Sequence, residues 1–244
     1  MSLPHAALPA RFSAQNRSRA LQAEIMELIL ERDLEAGDAL PTEAELVAAL
    51  GIGRNTLREA LKVLQALGVV EIRHGFGMFV APANFDALAD GLTFRGRLSL
   101  RHEGKEALQL VDVRQALEAG LIGEAMDLWT PEHLAEIEAT VRDMEAAAAA
   151  GNSFAEVDEK FHYQLFEPLG NELLSNLMSV FWKVYSKIHL ELGGDPLVNL
   201  MENAAVHRGI LEAVKSGDKE LASERLRRHF DGIREQLAKL PVAP

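Results

Sequence analysis

Three histidines and one aspartate in the second half of the sequence have the residue types and spacing of a divalent-metal site. Asp158 and His162 lie four residues apart in FAEVDEKFHYQLF, so a helix places both on one face. His207 and His229 fall on the apolar stripes of two later helical patterns, which predicts that all four side chains point inward from three helices. Three imidazoles and a carboxylate suit Zn²⁺, Ni²⁺ or Mn²⁺, with positions left for water or a ligand. The alternative is that each histidine is a core residue with an ordinary hydrogen-bond partner.

An arginine on an apolar helix face is the second candidate. Arg114 shares its face with three leucines in LQLVDVRQALEAGL and is expected to point into the same bundle. A guanidinium there could hold a carboxylate through two hydrogen bonds. The alternative is an ion pair with Glu118, four residues later on the same helix. Asn203, one turn before His207, is expected to face the same cavity.

Several helices are needed to position these residues, and the sequence beyond Val80 has helical spacing throughout. Strong patterns cover 105–129, 131–149, 153–167, 170–192, 197–215 and 219–240. They predict an all-helical bundle of six or seven helices over residues 105–240, preceded by a linker or extra helix over residues 82–104. Helix starts are marked by Thr130-Pro131, by Asp195-Pro196 and by a capping box of Ser153 with Glu156.

The first third of the sequence has a different organisation. Residues 1–16 predict a flexible arm, and residues 17–81 predict three helices followed by a two-stranded hairpin. Thr42 with Glu45 forms a capping box at the start of the second helix, and LGIG forms the short turn before the third. VVEIR and MFV are short β-type runs that flank HGFG. This order predicts a winged helix-turn-helix, and the whole chain is therefore expected to be mainly α.

Charge is unevenly distributed along the 244 residues, whose formal net charge is −12. Residues 1–82 hold 8 Lys and Arg against 10 Asp and Glu, whereas the remainder holds 17 against 27. The chain contains no cysteine, no secretory signal and no apolar run of membrane-spanning length. We therefore expect a cytoplasmic protein without a membrane partner, whose nucleic-acid contacts, if any, lie in the first third.

A basic stripe on the predicted third helix indicates where DNA would bind. Arg54, Arg58 and Lys62 recur every four residues in GRNTLREALKVL, and such a helix enters the major groove by its N-terminal end. The alternative is a solvated helix face whose cations pair with nearby acids. The residues expected to contact DNA are Arg54, Asn55, Thr56 and Arg58 on this helix, and Arg73, His74 and Gly75 on the wing.

The segment LPTEAELVAALGIGRNTLREALKVLQALGVVEIRHGFGMFV, Leu40 to Val80, resembles the DNA-binding domain of the GntR family of bacterial transcription regulators. The resemblance implies that the residues at the start of the third helix meet the operator, with His74 and Gly75 at the wing tip. Members of the family often carry an arginine in a pattern like LPSERELA, at the position where this chain has Ala44. One DNA contact of the family is therefore expected to be missing.

Residues 85–238 are similar to the FCD ligand-binding domain of the FadR branch of that family. In such domains an aspartate, a histidine four residues later and two further histidines form a metal centre. The resemblance implies that Asp158, His162, His207 and His229 have this role, and that Arg114 contacts the ligand. Some members of the branch lack these ligands and bind acyl-CoA instead.

Together, these patterns predict a transcription regulator whose affinity for DNA is controlled by a small carboxylate bound at a divalent metal. A homodimer on palindromic double-stranded DNA is expected, since one recognition helix reads only a half-site. Two alternatives remain. The metal could be purely structural with a different effector, such as an acyl ligand. The chain could also be a metal-dependent hydrolase with a DNA-binding appendage, which is disfavoured because no second inward carboxylate is placed as a general base.

Overall fold

The computed structural model describes residues 14–101, 104–191 and 200–238. The chain forms two compact units, which divide between Ala87 and Leu88. Within the described residues, no helix combines the length and the apolar character needed to cross a bilayer.

The first unit is a three-helix cluster with a β-hairpin. Its elements are α1 (Ala14–Glu31), α2 (Glu43–Leu50), α3 (Arg54–Ala66), β1 (Val70–Arg73) and β2 (Gly77–Val80). Ile25, Leu46 and Leu57, one from each helix, are fully buried at its centre. Helix α1 begins at Ala14, so the last three residues of the predicted arm are helical, and residues 1–13 lie outside the described part.

The predicted capping box fixes the start of α2. The Thr42 hydroxyl accepts from the Glu45 amide, and the Glu45 carboxylate accepts from the Thr42 amide at 2.8 Å. The helix ends at Gly51, which has a left-handed φ of 64° that a residue with a Cβ adopts only at a cost. The next helix then begins at Arg54, so the short turn of the helix-turn-helix is confirmed.

The wing is an antiparallel hairpin in which Val70 pairs with Val80 and Arg73 pairs with Gly77. Its tip needs backbone conformations that favour glycine, since Gly75 has a φ of 80° and Gly77 a φ of 117°. Val70 and Met78 are buried in the core of the unit, and Ile72 and Val80 pack against it.

The second unit is all helical in the described residues. Its elements are α4 (Asp86–Ser99), α5 (Lys105–Met126), α6 (Pro131–Ala149), α7 (Ala155–Phe166), α8 (Glu172–Glu191), α9 (Leu200–Lys215), α10 (Lys219–His229) and α11 (Asp231–Ala238), with a 3₁₀ turn at Glu167–Leu169. Helix α10 packs against α5 and α9, and α6 packs against α7 and α9. Arg208 on α9 reinforces the last contact through two hydrogen bonds of 2.8 and 2.7 Å to Glu145 on α6.

Two boundary predictions were wrong. The pattern over 219–240 is two helices, because the chain breaks at the fully buried Phe230. The N-cap of α7 is Phe154, whose side chain makes no capping hydrogen bond, and not Ser153. The start predicted at Thr130-Pro131 is confirmed, whereas Asp195-Pro196 lies outside the described residues.

Candidate functional site

The four predicted metal ligands lie together inside the second unit. Asp158 and His162 come from α7, His207 from α9 and His229 from α10, so three helices contribute. One ligand atom from each residue lies within 4.8 Å of all the others. His162 and His207 are almost fully buried, and the other two side chains are partly buried. The cluster is therefore a core feature and not a chance grouping of surface acids.

Three contacts within the cluster are close to the spacing of ligands that share one cation, while the most distant ligand atoms, up to 4.8 Å apart, would have to move closer for all four to bind it. Asp158 Oδ1 lies 2.8 Å from His207 Nε2 and 3.3 Å from His162 Nε2. Two atoms that each bind one metal at about 2.1 Å are roughly 3.0–3.4 Å apart when they are adjacent ligands. His162 Nε2 and His229 Nε2 lie 3.1 Å apart, so two ring nitrogens face each other. Such a contact needs either a proton on one nitrogen or a cation that accepts both lone pairs.

Hydrogen bonds on Nδ1 orient two of the imidazoles so that their Nε2 atoms face the cluster. His162 Nδ1 donates to Glu118 Oε2 at 2.6 Å, and His207 Nδ1 donates to the Asn203 carbonyl at 2.7 Å. A hydrogen bond from Nδ1 turns Nε2 toward the cluster, where its lone pair can bind a metal once any proton on Nε2 is released. Metal-binding histidines usually have such a carboxylate or carbonyl partner on the second nitrogen.

Burial and neighbouring charges shift the pKa values of three groups in the cluster. Burial alone would raise the pKa of Asp158, but His207 and His162 hold that pKa well below its usual value. Burial, with the neighbouring His207 and His162, keeps the pKa of His229 well below its usual value. Burial opposes a charge on His162, yet Glu118 outweighs it and the pKa of His162 is raised. At neutral pH the site therefore offers an anionic carboxylate and a neutral His229, both of which are donors for a metal.

Arg114 points inward, as predicted, and it also makes the ion pair that was the alternative. The residue is only 4% exposed, and its Nε donates to Glu118 Oε1 at 2.5 Å. The guanidinium carbon lies 4.5 Å from the ring centre of Trp182 and 5.2 Å from that of Phe230. Among the described residues, Arg114 Nη2 is buried without a hydrogen-bond partner. A buried guanidinium with a free donor is suited to binding an anion.

Glu118 is the functional residue that the sequence argument missed. It is 1% exposed and joins Arg114 to His162, one on each oxygen. Burial opposes its charge, but Arg114 and His162 keep the pKa of Glu118 below its usual value. A second carboxylate therefore does point inward, beside the predicted Asp158. This carboxylate is engaged on both oxygens, however, and makes a poor general base. The sequence did offer a signal: Glu118 is four residues after Arg114, so the two share a helix face, and an inward Arg114 implies an inward Glu118.

Asn203 contributes differently from the prediction. Its side chain is exposed, and the contact that it makes with the cluster is through its backbone carbonyl, to His207. The prediction took the one-turn spacing to mean a shared inward face, but the same spacing brings the carbonyl of the earlier residue to the imidazole of the later one.

The predicted DNA-contacting residues of α3 are all on the surface. Arg54, Asn55 and Thr56 are exposed at its N-terminal end. Arg58 pairs with Glu43 at 3.0 Å, and Lys62 pairs with its helix neighbour Glu59 at 2.9 Å. Two of the three basic side chains, Arg58 and Lys62, therefore make the ion pairs that were the alternative to DNA contact. These pairs are exposed and worth about 0–1 kcal/mol, so a phosphate can replace the carboxylate at little cost.

The wing residues are also accessible. His74 and Gly75 are exposed at the tip, and Phe76 beside them is 83% exposed. Arg73 is exposed, pairs with Glu71 at 2.8 Å and lies 4.3 Å above the ring of Phe79. Ala44, where an arginine occurs in the related pattern, is exposed in the first turn of α2.

Comparison with known proteins matches both parts of the chain to described families. Residues 17–80 match the family described as "Bacterial regulatory proteins, gntR family", and residues 109–232 match the FCD domain. The HTH-type transcriptional regulator YcbG of Bacillus subtilis (strain 168) is 27% identical over 88% of this chain and 87% of its own length. The galactonate operon transcriptional repressor of Escherichia coli (strain K12) is 24% identical over 77% of this chain and 82% of its own.

A solved structure has the same fold over most of the chain. "Streptococcus agalactiae GntR" superposes with a TM-score of 0.58 and 26% identity, over 89% of this chain and 99% of that one. The matched FCD region covers half of the sequence and contains the His–Asp cluster, while the matched gntR region contains the helix-turn-helix and the wing. The chain therefore belongs to the gntR family of bacterial regulatory proteins with an FCD domain, and it is a DNA-binding transcriptional regulator and not an enzyme.

Proposed function

We propose that this regulator binds one divalent transition metal through Asp158, His162, His207 and His229. The observation that carries the proposal is the approach of four ligand atoms within 4.8 Å. The outward hydrogen bonds of His162 and His207 support it, because they turn the Nε2 atoms toward the ion. Zn²⁺, Ni²⁺ and Mn²⁺ all accept this donor set, and such an ion supplies a positive centre for an anionic oxygen.

The proposed effector is a small carboxylate. Arg114 adds a second positive group with a free Nη2, and it is tied to the metal ligands through Glu118 and His162. An anion is the ligand that satisfies both groups. The name of the galactonate operon repressor associates one relative with a sugar acid, which is also a carboxylate. We also propose that Asn203, one helical turn before His207, contacts the effector.

We further propose that the protein acts in the cytoplasm as a homodimeric repressor on palindromic DNA and belongs to the FadR branch. Arg54, Asn55, Thr56 and Arg58 would read the major groove, and Arg73, His74 and Gly75 would contact the minor groove or backbone. Exposure of these side chains supports the assignment. Effector binding needs a coupling of only ~1–3 kcal/mol to change the affinity for DNA appreciably.

A structural metal is the competing function for the cluster. The three helices that supply ligands also form much of the core, so a bound ion would stabilise the unit without any effector. Under that alternative, removal of the metal unfolds the second unit.

The test uses full-length protein loaded with metal. Operator DNA is first selected from a random-sequence library, and release of that DNA is then measured with a panel of carboxylates before and after metal removal by a chelator. We expect release to require both the metal and Arg114, with the helical content unchanged on chelation. Release by the same carboxylate from metal-free protein would refute the proposal, and loss of helical content on chelation would favour the structural alternative.

A further inference from the structure

The tip of the wing carries an exposed aromatic side chain. Phe76 is 83% exposed, the highest fraction among the large apolar side chains in the part of the chain that the structure describes. Other apolar residues of the hairpin turn toward the core, since Met78 is buried and Ile72 and Phe79 are half-buried. The ring of Phe76 therefore contributes little to the stability of the unit. Single exposed apolar residues are common on protein surfaces, so it is the position of this one that calls for an explanation.

The backbone of the tip fixes where the ring stands. The Phe76 amide donates to the Arg73 carbonyl at 2.9 Å, which closes a four-residue turn. A glycine lies on each side of Phe76, and Gly75 and Gly77 have positive φ angles of 80° and 117°. A Cβ placed on either glycine would meet no described atom within 4 Å. The wing thus ends in one aromatic ring between two residues that have no side chains.

A slim apolar tip of this kind fits the minor groove of DNA. The minor groove of B-DNA is only about 6 Å wide, so a protein segment that enters it must be narrow, and the glycines beside the ring meet that requirement. Arg73 and His74 are exposed next to the ring, where they can contact the phosphates that border the groove. The ion pair of Arg73 with Glu71 is itself exposed, so a phosphate can replace the carboxylate. Proteins that bind the minor groove frequently insert an apolar side chain, phenylalanine among them, between two base pairs.

We propose that Phe76 is a wedge that enters the minor groove of operator DNA and partly unstacks one base step. The ring exchanges water for the bases, and the insertion kinks the duplex. The favoured step is pyrimidine–purine, TA or CA/TG, because such steps are the most easily unstacked. Phe76 thereby recognises the deformability of the operator and not the hydrogen-bonding edges of its bases. This inference rests on the proposed contact of Arg73, His74 and Gly75 with DNA, and it adds a specificity-determining residue to that contact.

The first experiment measures affinity for an operator selected from a random-sequence library, by fluorescence anisotropy of full-length protein at several salt concentrations. Phe76→Ala should weaken binding about tenfold, because the buried area of the ring is lost. Phe76→Leu should retain most of the affinity, since leucine is also a wedge residue. Neither change removes a phosphate contact, so the dependence of affinity on salt should stay as in wild type, whereas Arg73→Ala should reduce its slope by about one. The matched control is Leu30→Ala on α1, which removes a 70% exposed apolar side chain from the same unit and should change neither quantity.

The second experiment detects the unstacked step. The fluorescent base 2-aminopurine, which stacking quenches, replaces each adenine of the selected operator in turn. Wild-type protein should raise the fluorescence at the step under the wing, and Phe76→Ala should abolish that rise. A library selection repeated with Phe76→Ala should no longer favour TA or CA/TG at this step.

Four outcomes would overturn the inference, and they can be told apart. Unchanged affinity of Phe76→Ala, with binding weakened in Arg73→Ala, would refute the wedge and leave the proposed wing contact intact. Unchanged affinity of both variants would refute the wing contact together with the inference. Weaker binding by Phe76→Ala without a 2-aminopurine signal in wild type would refute insertion between base pairs. A changed oligomeric state of Phe76→Ala in the absence of DNA would assign the ring to a contact between protein chains.

Discussion

Replacing Glu118 by glutamine is the most informative single change, because one buried carboxylate serves both Arg114 and His162. The substitution keeps size and removes charge, so the guanidinium of Arg114, 4% exposed, loses its counter-ion. Breaking a buried ion pair in this way costs about 3–5 kcal/mol. At about 2–4 °C per kcal/mol for a unit of this size, the melting temperature of the second unit should fall by roughly 6–20 °C.

The assay is thermal unfolding followed by tryptophan fluorescence, in metal-free protein. The chain has two tryptophans, Trp129 and Trp182, and both lie in the second unit, so the signal reports that unit. The matched control is Glu106→Gln on the same helix, where the pair with Arg95 is exposed and worth less than about 1 kcal/mol.

A second substitution shows whether the loss of stability comes from the unpaired charge of Arg114 or from the change of side chain at position 118 itself. Adding Arg114→Met to Glu118→Gln removes the unpaired guanidinium, and a substantial part of the lost stability should return. With metal present, Glu118→Gln alone should also weaken metal binding about 10–100-fold. The amide has one acceptor oxygen where the carboxylate has two, so Arg114 and His162 compete for it and the partner of His162 Nδ1 is no longer charged. If Glu118→Gln is no more destabilising than Glu106→Gln, the reasoning about the buried pair is wrong.

Three further changes test other parts of the structure. Arg208→Gln should cost about 1 kcal/mol at pH 7. The hydrogen bonds from Arg208 lower the pKa of Glu145 below its usual value, so their contribution is lost as the pH falls through that lowered pKa. Denaturation across pH should therefore show the difference from wild type fading in acid, and a difference that persists there would contradict this. Arg54→Ala should weaken binding to selected operator DNA by about 1–3 kcal/mol, measured by fluorescence anisotropy, and unchanged affinity would remove Arg54 from the interface. Thr42→Ala should destabilise α2 by about 1 kcal/mol in amide hydrogen exchange, whereas Thr42→Ser should not.

Local signals in the sequence were sufficient for most of the fold. The capping box of Thr42 and Glu45, the left-handed Gly51 and the glycines of the wing are each decided by neighbours within a few residues. Such signals predicted the helix-turn-helix and its wing correctly. The same reasoning failed at Ser153, because tertiary packing that buries Phe154 starts α7 one residue later.

The site could be predicted only in part, because its contacts join distant helices. Helical periodicity indicated that His162, His207 and His229 point inward, but it could not give the distances between them. The sequence predicted Glu118 only as a partner of Arg114, four residues away. Its second partner, His162, is 44 residues away in the chain, and no local pattern links the two. An apolar cavity that Arg114 lines is built from side chains of several helices, and no local pattern contains that information.

Metal content is the measurement that tests the central claim most directly. Elemental mass spectrometry of purified full-length protein should find about one divalent ion per chain, and the His207→Ala/His229→Ala variant should lose it. His74→Ala, an exposed histidine of the wing, is the control and should retain it. Wild-type protein that binds no divalent ion after incubation with zinc, nickel or manganese would contradict the account, and so would a double variant that keeps its metal.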